Sequence, residues 1–588
     1  MDERKFIDET HFVKTETFFG EEIETIYKLA RKPVAMDPGV DISASDDPML
    51  RMGHGFCAPF NPRTYEAAPG ILCDQDVEVV LRDGCKIYCD IFRPDTDKKV
   101  PVIISWSWFG KRPGEGMSEW QLMGVPPGTV SKMAKFESPD PAYWCHQGYA
   151  VANVDVRGAG HSEGDVHIFG MQDGLDGYDF VEWIAVQPWC NGKVGMAGNS
   201  GVAIHQWGIA ATCPPHLACI APWESTTDQY RESLYEGGIP ALSFNEFIGG
   251  QVTGGSGVDD QVSMARKYPL MNAYWQSKIP DFSKVKIPVY QTCGWSHFHL
   301  RGSCQAFRKC KSRKKWLRAH RDFEWPDTYA NENLEDLKKF YDRYLKDIHN
   351  GWEMTPRFRV DVMDAYDVDY QVRRGEDSFP IKRTEYRRYY LDAKHMDMKS
   401  EPVPYHTSVS YDSNTEELEF DMEFTEDTEL TGYMFLRLFV EVDGHDDADL
   451  FINIQKSDAA GNWIPWDTLG EHHPGAWGKC RVSHRELDEK LSTAYQPVMK
   501  HERELKLSKG EIAQCDIEIV PSSRFWHKGQ RIRVQIAGRY IREGWFEPLS
   551  WDTDNHGRHI IHTGGEYASF LQVPYIPPRY KTVGYDYR

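Results

Sequence analysis

The residues best suited to covalent chemistry lie in the stretch KVGMAGNSGVAIHQW, residues 193–207. An apolar strand pattern runs into a Gly-x-Ser turn, and a helix pattern follows at once. This is the setting of a nucleophile elbow, in which a tight turn lifts a serine hydroxyl above the carboxyl edge of a sheet. The N–H of Gly201 would face the negative charge that develops on an attacked carbonyl. The spacing therefore predicts acyl transfer through Ser200.

Signatures of other catalytic and ligand-binding sites are absent from the sequence. It contains no HExxH zinc pattern, no GxGxxG fingerprint, no Walker A loop and no CxxC pair. The acidic residues Asp446, Asp447 and Asp449 lack the glycine and terminal glutamate of a calcium loop, which favours a solvated turn. We expect a protein that uses neither a metal ion nor another cofactor.

The composition excludes several further classes of function. Of the 588 residues, 40% are hydrophobic and 27% are charged, which permits a sizeable core and excludes bulk disorder. The formal net charge of −21 repels phosphate backbones, so we expect no nucleic-acid partner. The apolar runs are too short for a membrane span, and thirteen cysteines without a paired pattern favour a reducing, cytoplasmic setting.

The chain is expected to form an N-terminal arm over residues 1–72 and an α/β unit over residues 73–356. The arm is rich in turn formers, and a short helix is predicted at Glu21–Ala30. Helix patterns alternate with buried strand patterns, and this alternation predicts a mainly parallel sheet. The predicted strands are Val100–Ser105, Tyr149–Val156, Lys193–Ala197, Ala218–Pro222, Ile287–Cys293 and Trp316–Ala319.

Two regions depart from this alternation. Strand patterns stop over about residues 228–282, which we interpret as a helical cap inserted over the sheet. From residue 357 to 588 short alternating strands recur between turn signals, as in FRVDVMD, FLRLFVEVDG and RIRVQIAGR. This spacing is typical of an antiparallel β-sandwich or jelly roll.

Several motifs resemble one family of serine hydrolases. The stretches GMAGNSGVAIHQW, DVRGAGHSEGD and SWSWFGK are similar to the cocaine esterase and X-Pro dipeptidyl-peptidase (CocE/NonD) family, as are DADLFINIQKSDAAGNW and HKGQRIRVQIAG farther along the chain. The resemblance covers about residues 76–578. It implies an α/β-hydrolase core, a helical cap and a β-sandwich that forms one wall of the active site.

The resemblance also implies roles for residues of an oxyanion site. Ser200 falls on the family nucleophile, and Gly201 falls on the residue whose N–H forms half of the oxyanion hole. The other half is a tyrosine hydroxyl in the family, whereas this chain has Phe109, whose side chain has no donor. The backbone N–H of that loop, or the indole of Trp106 or Trp108, would have to replace it. One missing donor raises the barrier by about 3 kcal/mol.

The family places a histidine base after the last parallel strand and an aspartate after the preceding strand. His320 lies at the first position, and we predict that it is the base. His297 occupies the second position, in GWSHFH, where it could orient another imidazole only as a neutral partner. Glu324 or Asp322 could supply the missing charge from the loop after His320, or His299 could be the base.

Four aromatic residues at strand ends or at the cap entrance could line an apolar acyl pocket: Trp106, Trp108, Trp223 and Tyr230. The leading hypothesis is hydrolysis of an ester or amide of a small, partly apolar acyl group through an acyl-enzyme on Ser200. The alternative is acyl transfer, a lyase step or C–C bond cleavage with a rearranged triad. A non-catalytic binding protein and an X-Pro dipeptidyl-peptidase rank lower. The expected partner is the small-molecule substrate, and homodimer formation is left open.

Overall fold

The computed structural model of the protein describes residues 4–35, 46, 56–112, 124–469, 471–541 and 549–579. The helices are α1 Pro141–His146, α2 Met171–Ala185, α3 Ser200–Ala211, α4 Leu242–Gly250, α5 Gln261–Lys267, α6 Ala273–Ser277, α7 Leu300–Lys309, α8 Glu324–Tyr329 and α9 Asn331–Leu345. The strands of the first half are β1 Lys5–Phe6, β2 His11–Phe18, β3 Glu21–Leu29, β4 Val34–Ala35, β5 Phe56–Cys57, β6 Arg63–Ala68, β7 Ile71–Val80, β8 Lys86–Pro94, β9 Val100–Ser107, β10 Ala150–Asp155, β11 Cys190–Asn199, β12 Leu217–Trp223, β13 Tyr235–Glu236, β14 Ile239–Pro240, β15 Gly257–Asp259, β16 Val289–Gly294 and β17 Lys315–His320.

The central sheet is parallel over most of its width. Its strand order is β6-β7-β8-β10-β9-β11-β12-β16-β17, with antiparallel pairing as far as β10 and parallel pairing from there on. Every residue of β9, β10 and β16 is buried, because hydrophobic clusters cover the sheet on both faces. The expected α/β-hydrolase-like architecture is confirmed, and the parallel strands carry their carboxyl ends to one edge.

The helix predicted at Glu21–Ala30 is wrong. This segment is strand β3, which pairs antiparallel with β2 and with β15 of the cap region. Its β-branched residues Ile23, Thr25 and Ile26 are buried, while the flanking glutamates stay exposed. The decisive partner, β15, lies more than 200 residues away, so a local pattern could not reveal it.

The segment predicted as a cap contains α4, α5, α6 and the short strands β13 to β15, together with a π-helical turn at Tyr230–Leu234. Its hydrophobic cluster includes Met264, Tyr274 and Trp275, and residues of β2 and β3 complete it. The N-terminal hairpin therefore packs against the segment of residues 228–282.

The C-terminal half is formed almost wholly of strands. They are β18 Phe358–Ala365, β19 Val368–Glu376, β20 Glu385–Asp392, β21 Asp397–Lys399, β22 Thr407–Asp412, β23 Glu417–Glu423, β24 Thr428–Asp443, β25 Asp449–Ser457, β26 Trp466–Thr468, β27 Glu471–His473, β28 Ala476–Arg481, β29 Ala513–Trp526, β30 Arg531–Ala537, β31 Arg558–Thr563 and β32 Phe570–Tyr575. Short 3-10 turns lie at Trp352–Met354 and Val482–His484. Pairing among these strands is mostly antiparallel.

The two halves share one hydrogen-bonded network. β18 continues the parallel sheet beside β17 and then pairs antiparallel with β19. One large hydrophobic cluster includes residues of both halves, among them Trp295 and Leu317 from the first and Leu436 and Ile517 from the second. The C-terminal unit is thereby held firmly against the edge of the α/β sheet. Among the described residues, none of the helices is long and apolar enough to cross a membrane.

Candidate active site

Ser200 lies at a strained turn between β11 and α3. Its φ angle is +51°, a conformation that non-glycine residues adopt rarely and at a cost. The turn depends on Gly198, whose φ is +135° and where a Cβ atom would lie 2.4 Å from Val202 Cγ1. The nucleophile-elbow geometry expected from the sequence is therefore present at Ser200.

The space beside Gly201 is occupied by two side chains. A Cβ atom on Gly201 would lie 3.0 Å from Phe109 Cζ and 3.9 Å from Glu137 Oε2. The Phe109 N–H donates a long hydrogen bond of 3.4 Å to Ser107 Oγ. The role of this backbone N–H as an oxyanion donor stays a prediction.

The two indole groups considered as substitute donors differ in their availability. Trp106 Nε1 donates to Asp173 Oδ1 at 2.8 Å, and Asp173 Oδ2 also lies 2.7 Å from His205 Nδ1. Trp108 Nε1 is buried and has no hydrogen-bond partner in the described part of the chain. Of these two indoles, only that of Trp108 retains an unused donor.

His320 lies at the end of β17, where both of its ring nitrogens have partners. Nε2 is 2.7 Å from Glu224 Oε1, and Nδ1 is 2.9 Å from the carbonyl oxygen of Asp322. Burial by itself would lower the pKa of His320, but the carboxylates of Asp327 and Glu224 outweigh burial and raise it. An imidazolium that donates both N–H groups fits these contacts. Neither nitrogen is hydrogen-bonded to Ser200 in this structure.

His297, at the predicted acid position, lies between two glutamates. Its Nε2 is 2.9 Å from Glu324 Oε1, although the angle is too poor for a regular hydrogen bond. Its Nδ1 accepts the backbone N–H of His299 and lies 3.9 Å from Glu224 Oε2. Burial lowers the pKa of His297 to about 4, which keeps the ring neutral. Whether His297 is the third member of a triad stays a prediction.

The carboxyl group of Glu324 reaches the strand that ends just before Ser200. Its Oε2 accepts a hydrogen bond of 2.8 Å from Asn199 Nδ2. Burial raises its pKa to about 7, and His299 and Asn199 offset part of that rise. Asp322, the other carboxylate considered, places its carbonyl oxygen 2.9 Å from His320 Nδ1; burial raises the pKa of its carboxyl group, and the charge of His320 opposes that rise.

His299 has the hydrogen bonds expected of a neutral base. Its Nδ1 lies 3.1 Å from the carbonyl oxygen of Glu224, which requires that this nitrogen bear the proton. Its Nε2 makes no hydrogen bond to any residue that the structure describes. Burial and the neighbouring His297 lower its pKa to about 3, so the ring stays unprotonated over a wide pH range.

Sequence reasoning missed two residues of this site, Glu137 and Glu224. Glu224 directly follows β12 at the carboxyl edge of the sheet, and that placement is a signal the sequence contained. Its carboxylate accepts the Gly294 N–H at 2.9 Å as well as the His320 contact. Glu137 lies in a loop with no strand or helix pattern, so its approach to Ser200 depends on the fold.

The four aromatic residues predicted to line an acyl pocket lie in the hydrophobic interior. Trp106 and Trp108 belong to one hydrophobic cluster, Trp223 to a second and Tyr230 to the cap cluster. The Tyr230 hydroxyl donates to the carbonyl oxygen of Pro269 at 2.6 Å. Their role in binding a substrate stays a prediction.

Two adjoining cavities open between the cap region, α7 and the C-terminal strands. They have volumes of about 60 Å³ and about 30 Å³, and both are lined by Glu236, Phe298, Trp477 and Lys479. Phe298 stacks on His297 with ring centroids 4.3 Å apart. The cavities therefore lead toward the histidine loop, and charged as well as aromatic side chains line them.

Two groups of side chains in the C-terminal half bring three metal-ligating atoms within 4.8 Å of one another. They are His445, Asp554 and His556, and Asp392, His395 and Asp397. Neither group includes a residue of the Ser200 region.

Comparison with known proteins identifies the family. The profile described as X-Pro dipeptidyl-peptidase (S15 family) matches residues 83–261, and the profile of the X-Pro dipeptidyl-peptidase C-terminal non-catalytic domain matches residues 350–572. A CocE/NonD family hydrolase from Staphylococcus aureus is 35% identical, with a TM-score of 0.83 over 86% of this chain and 94% of that chain. The chain belongs to the CocE/NonD hydrolase family.

Two further proteins resemble the chain in sequence or in fold. Cocaine esterase from Rhodococcus sp. (strain MB1 Bresler) is 32% identical over 378 residues, which cover 54% of this chain and 62% of that esterase. The match thus spans less than two thirds of the esterase. An α-amino acid ester hydrolase shares the fold at 14% identity, with a TM-score of 0.63 over 92% of this chain and all of that one. The family resemblance read from the motifs is confirmed.

Proposed function

We propose that this CocE/NonD hydrolase cleaves an ester or amide of a small acyl group through an acyl-enzyme on Ser200. The observation that supports this most directly is the strained elbow, since a structural serine has no need of a positive φ angle at the start of a helix. The relatives named as hydrolases and esterases support the same reaction class. Ester cleavage is favoured over release of X-Pro dipeptides.

The contacts of the histidines favour His299 over His320 as the proton acceptor. Both nitrogens of His320 are engaged, and its raised pKa favours the charged form, which cannot accept a proton. His299 is neutral, is oriented through Nδ1 and keeps the lone pair of Nε2 available. In this arrangement His297 and Glu324 position His299, in place of the aspartate that the family uses.

The proposed reaction runs in two halves. Ser200 Oγ attacks the carbonyl carbon, the C=O electron pair moves to oxygen, and the hydroxyl proton passes to His299. As the C=O bond re-forms, the bond to the leaving group breaks and the leaving group takes that proton. Water then repeats the sequence on the acyl-enzyme and releases the acid.

We further propose a division at residues 73 and 357, with a jelly-roll topology for residues 357–588 and a cytoplasmic location. The mostly antiparallel pairing of the C-terminal strands supports the jelly roll. The thirteen cysteines are all unpaired, which supports a reducing compartment.

Active-site labelling tests the proposed reaction. A fluorophosphonate should modify Ser200, as located by peptide mapping, and Ser200→Ala should lower the hydrolysis of short-chain aryl esters by about 10³-fold or more. A matched control is Ser508→Ala, which removes an exposed serine hydroxyl from the C-terminal half. Normal turnover by Ser200→Ala would refute a serine hydrolase. Labelling without hydrolysis would instead favour acyl transfer or another reaction of the rearranged site.

A further inference from the structure

The loop that contains Glu137 is fixed against the nucleophile elbow. Glu137 has a φ angle of +57°, and its carbonyl oxygen accepts the N–H of Asn199 at 3.2 Å. The next residue, Ser138, is held from two sides. Its Oγ lies 2.6 Å from Ser105 Oγ, and its carbonyl oxygen accepts a hydrogen bond of 3.1 Å from the Tyr329 hydroxyl. This position is therefore built into the fold and does not depend on a mobile surface loop.

The carboxyl group of Glu137 points at the two groups that would handle the attacked carbonyl. Its Oε2 would lie 3.9 Å from a Cβ atom on Gly201, and the Ser200 side chain and the Gly201 N–H both act to lower the pKa of this carboxyl group. Its Oε1 accepts a hydrogen bond of 3.3 Å from Trp325 Nε1. Its Oε2 has no partner of good geometry among the described residues, although Glu137 is 2% exposed. A buried and incompletely paired oxygen thus lies beside Ser200 and Gly201.

The surroundings of Glu137 favour its neutral acid form. Burial is the largest effect and raises its pKa well above the usual range, and the charge of Glu324 on α8 adds to it. The interactions with Trp325, Ser200 and Gly201 oppose this rise only in part. A further titratable neighbour is Tyr329 of α8, whose own pKa is raised chiefly by burial.

We propose that Glu137 is a catalytic residue that donates its acid O–H to the substrate oxyanion, together with the Gly201 N–H. This inference rests on the proposed function of Ser200. The neutral carboxyl takes the place of the hydroxyl that Phe109 lacks, and a protonated carboxyl is a strong donor in a buried site. Its proton stays on Glu137 throughout: the oxyanion accepts a hydrogen bond, and the Ser200 proton travels by way of His299.

Two substitutions at Glu137 separate a donor from other roles. Glu137→Ala should lower kcat by about 10²–10³-fold with a small change in KM, because one oxyanion donor is lost. Glu137→Gln should keep kcat within about tenfold of the wild type, since its amide N–H₂ can donate in the same place. Wild-type kcat/KM should fall at alkaline pH as Glu137 ionises, and Glu137→Gln should lack that fall.

A rescue variant keeps the test independent of folding defects. Phe109 Cζ is the ring atom nearest to Gly201, so Phe109→Tyr adds a hydroxyl toward the same oxyanion. Introduced into Glu137→Ala, Phe109→Tyr should recover at least about tenfold in kcat, whereas in the wild type it should add little.

The outcomes that overturn this inference differ from those that overturn the proposed function. Unchanged kcat in Glu137→Ala, or equal impairment of Glu137→Gln and Glu137→Ala with no rescue, would exclude the donor role. The latter result would indicate that the Glu137 carboxylate is a base for Ser200. In either case fluorophosphonate labelling of Ser200 would still support the hydrolase, whereas normal turnover by Ser200→Ala would refute both.

Discussion

Two buried polar clusters lie next to each other at the carboxyl edge of the sheet, and they differ in how completely their atoms are paired. Around His320, the bonds to Glu224 and from Arg318 to Asp327 are 2.5–2.7 Å long. Around Ser200, several buried polar atoms have no regular hydrogen-bond partner among the described residues. They are Asn199 Oδ1, Glu137 Oε2, Glu324 Oε1 and His297 Nε2, of which the last two lie 2.9 Å apart at an unfavourable angle.

This difference in hydrogen bonding separates a cluster suited to stabilising the fold from a cluster suited to a reaction. An unpaired buried polar group costs about 1–3 kcal/mol, so a cluster of them is retained where a ligand or a reaction uses it. The paired His320 cluster has the pattern of a structural clamp between β12, β17 and α8. The unpaired Ser200 cluster has the pattern of a site prepared for a reacting group.

The largest expected effect distinguishes the two histidines by activity. His299→Ala should lower kcat by about 10²–10⁴-fold, because the neutral acceptor of the Ser200 proton is lost. Its melting temperature should change little, which differential scanning calorimetry can verify. If His299→Ala stays fully active, the base must be sought elsewhere in the cluster, with His320 first.

The second effect distinguishes the same histidines by stability. His320→Ala leaves the Glu224 carboxylate buried without its cationic partner, which should lower the free energy of unfolding by about 3–5 kcal/mol. Urea denaturation of His320→Ala and His299→Ala at the same pH measures the difference between their free energies of unfolding. Equal stability of the two variants would contradict the structural role given to the His320 cluster.

A third change tests the backbone strain that supports the Ser200 cluster. Gly198→Ala forces a Cβ atom against Val202 and the Glu137 carbonyl oxygen at a φ angle of +135°. We expect this variant to lose about 1–3 kcal/mol of its free energy of unfolding and to lose activity as well. Gly208→Ala in α3 is the matched control, because its Cβ atom would meet nothing within 4 Å. That variant should gain about 0.5–1 kcal/mol from helix propensity. Thermal denaturation that ranks the two variants the other way would contradict this account of the elbow.

The smallest effect concerns the pH dependence of the Ser200 cluster. Burial raises the pKa of Glu324 to about 7, so its carboxylate forms only as the pH rises through that value. The negative charge of ionised Glu324 makes it easier for His299 to accept a proton, and it also favours the neutral form of Glu137. We therefore expect kcat/KM to rise about tenfold between pH 6 and pH 8. Glu324→Gln should remove this rise, as a pH–rate profile can show. A profile unchanged by the substitution would exclude Glu324 from the reaction.

Local patterns predicted the parts of this molecule that local chemistry determines. The long apolar runs of β9, β10 and β12 could only be strands buried on both faces, and the Gly-x-Ser turn could be recognised because strand, turn and helix are contiguous. The segment Glu21–Leu29 satisfied a helix and a strand equally well on its own. Its pairing with β15 settled the choice, and that pairing is not local.

The strained turn at Ser200 was predictable from the sequence, whereas the hydrogen-bond partners of the histidines were not. His320 follows the last parallel strand as expected, yet the engagement of its two nitrogens depends on Glu224 and Asp322. The position of Glu137 likewise follows from a loop clamped by Asn199 and Tyr329, contacts that no spacing in the sequence reveals.

The pairing of β3 with β15 has a consequence for synthesis on the ribosome. Leu29 is paired with Gly257, so the edge of the first hairpin stays open until about 230 further residues have been made. At about 5–20 residues per second this delay lasts roughly 10–50 s. During that time the exposed strand can pair with another nascent chain, and a chaperone that covers β3 would be expected to increase the yield of folded protein.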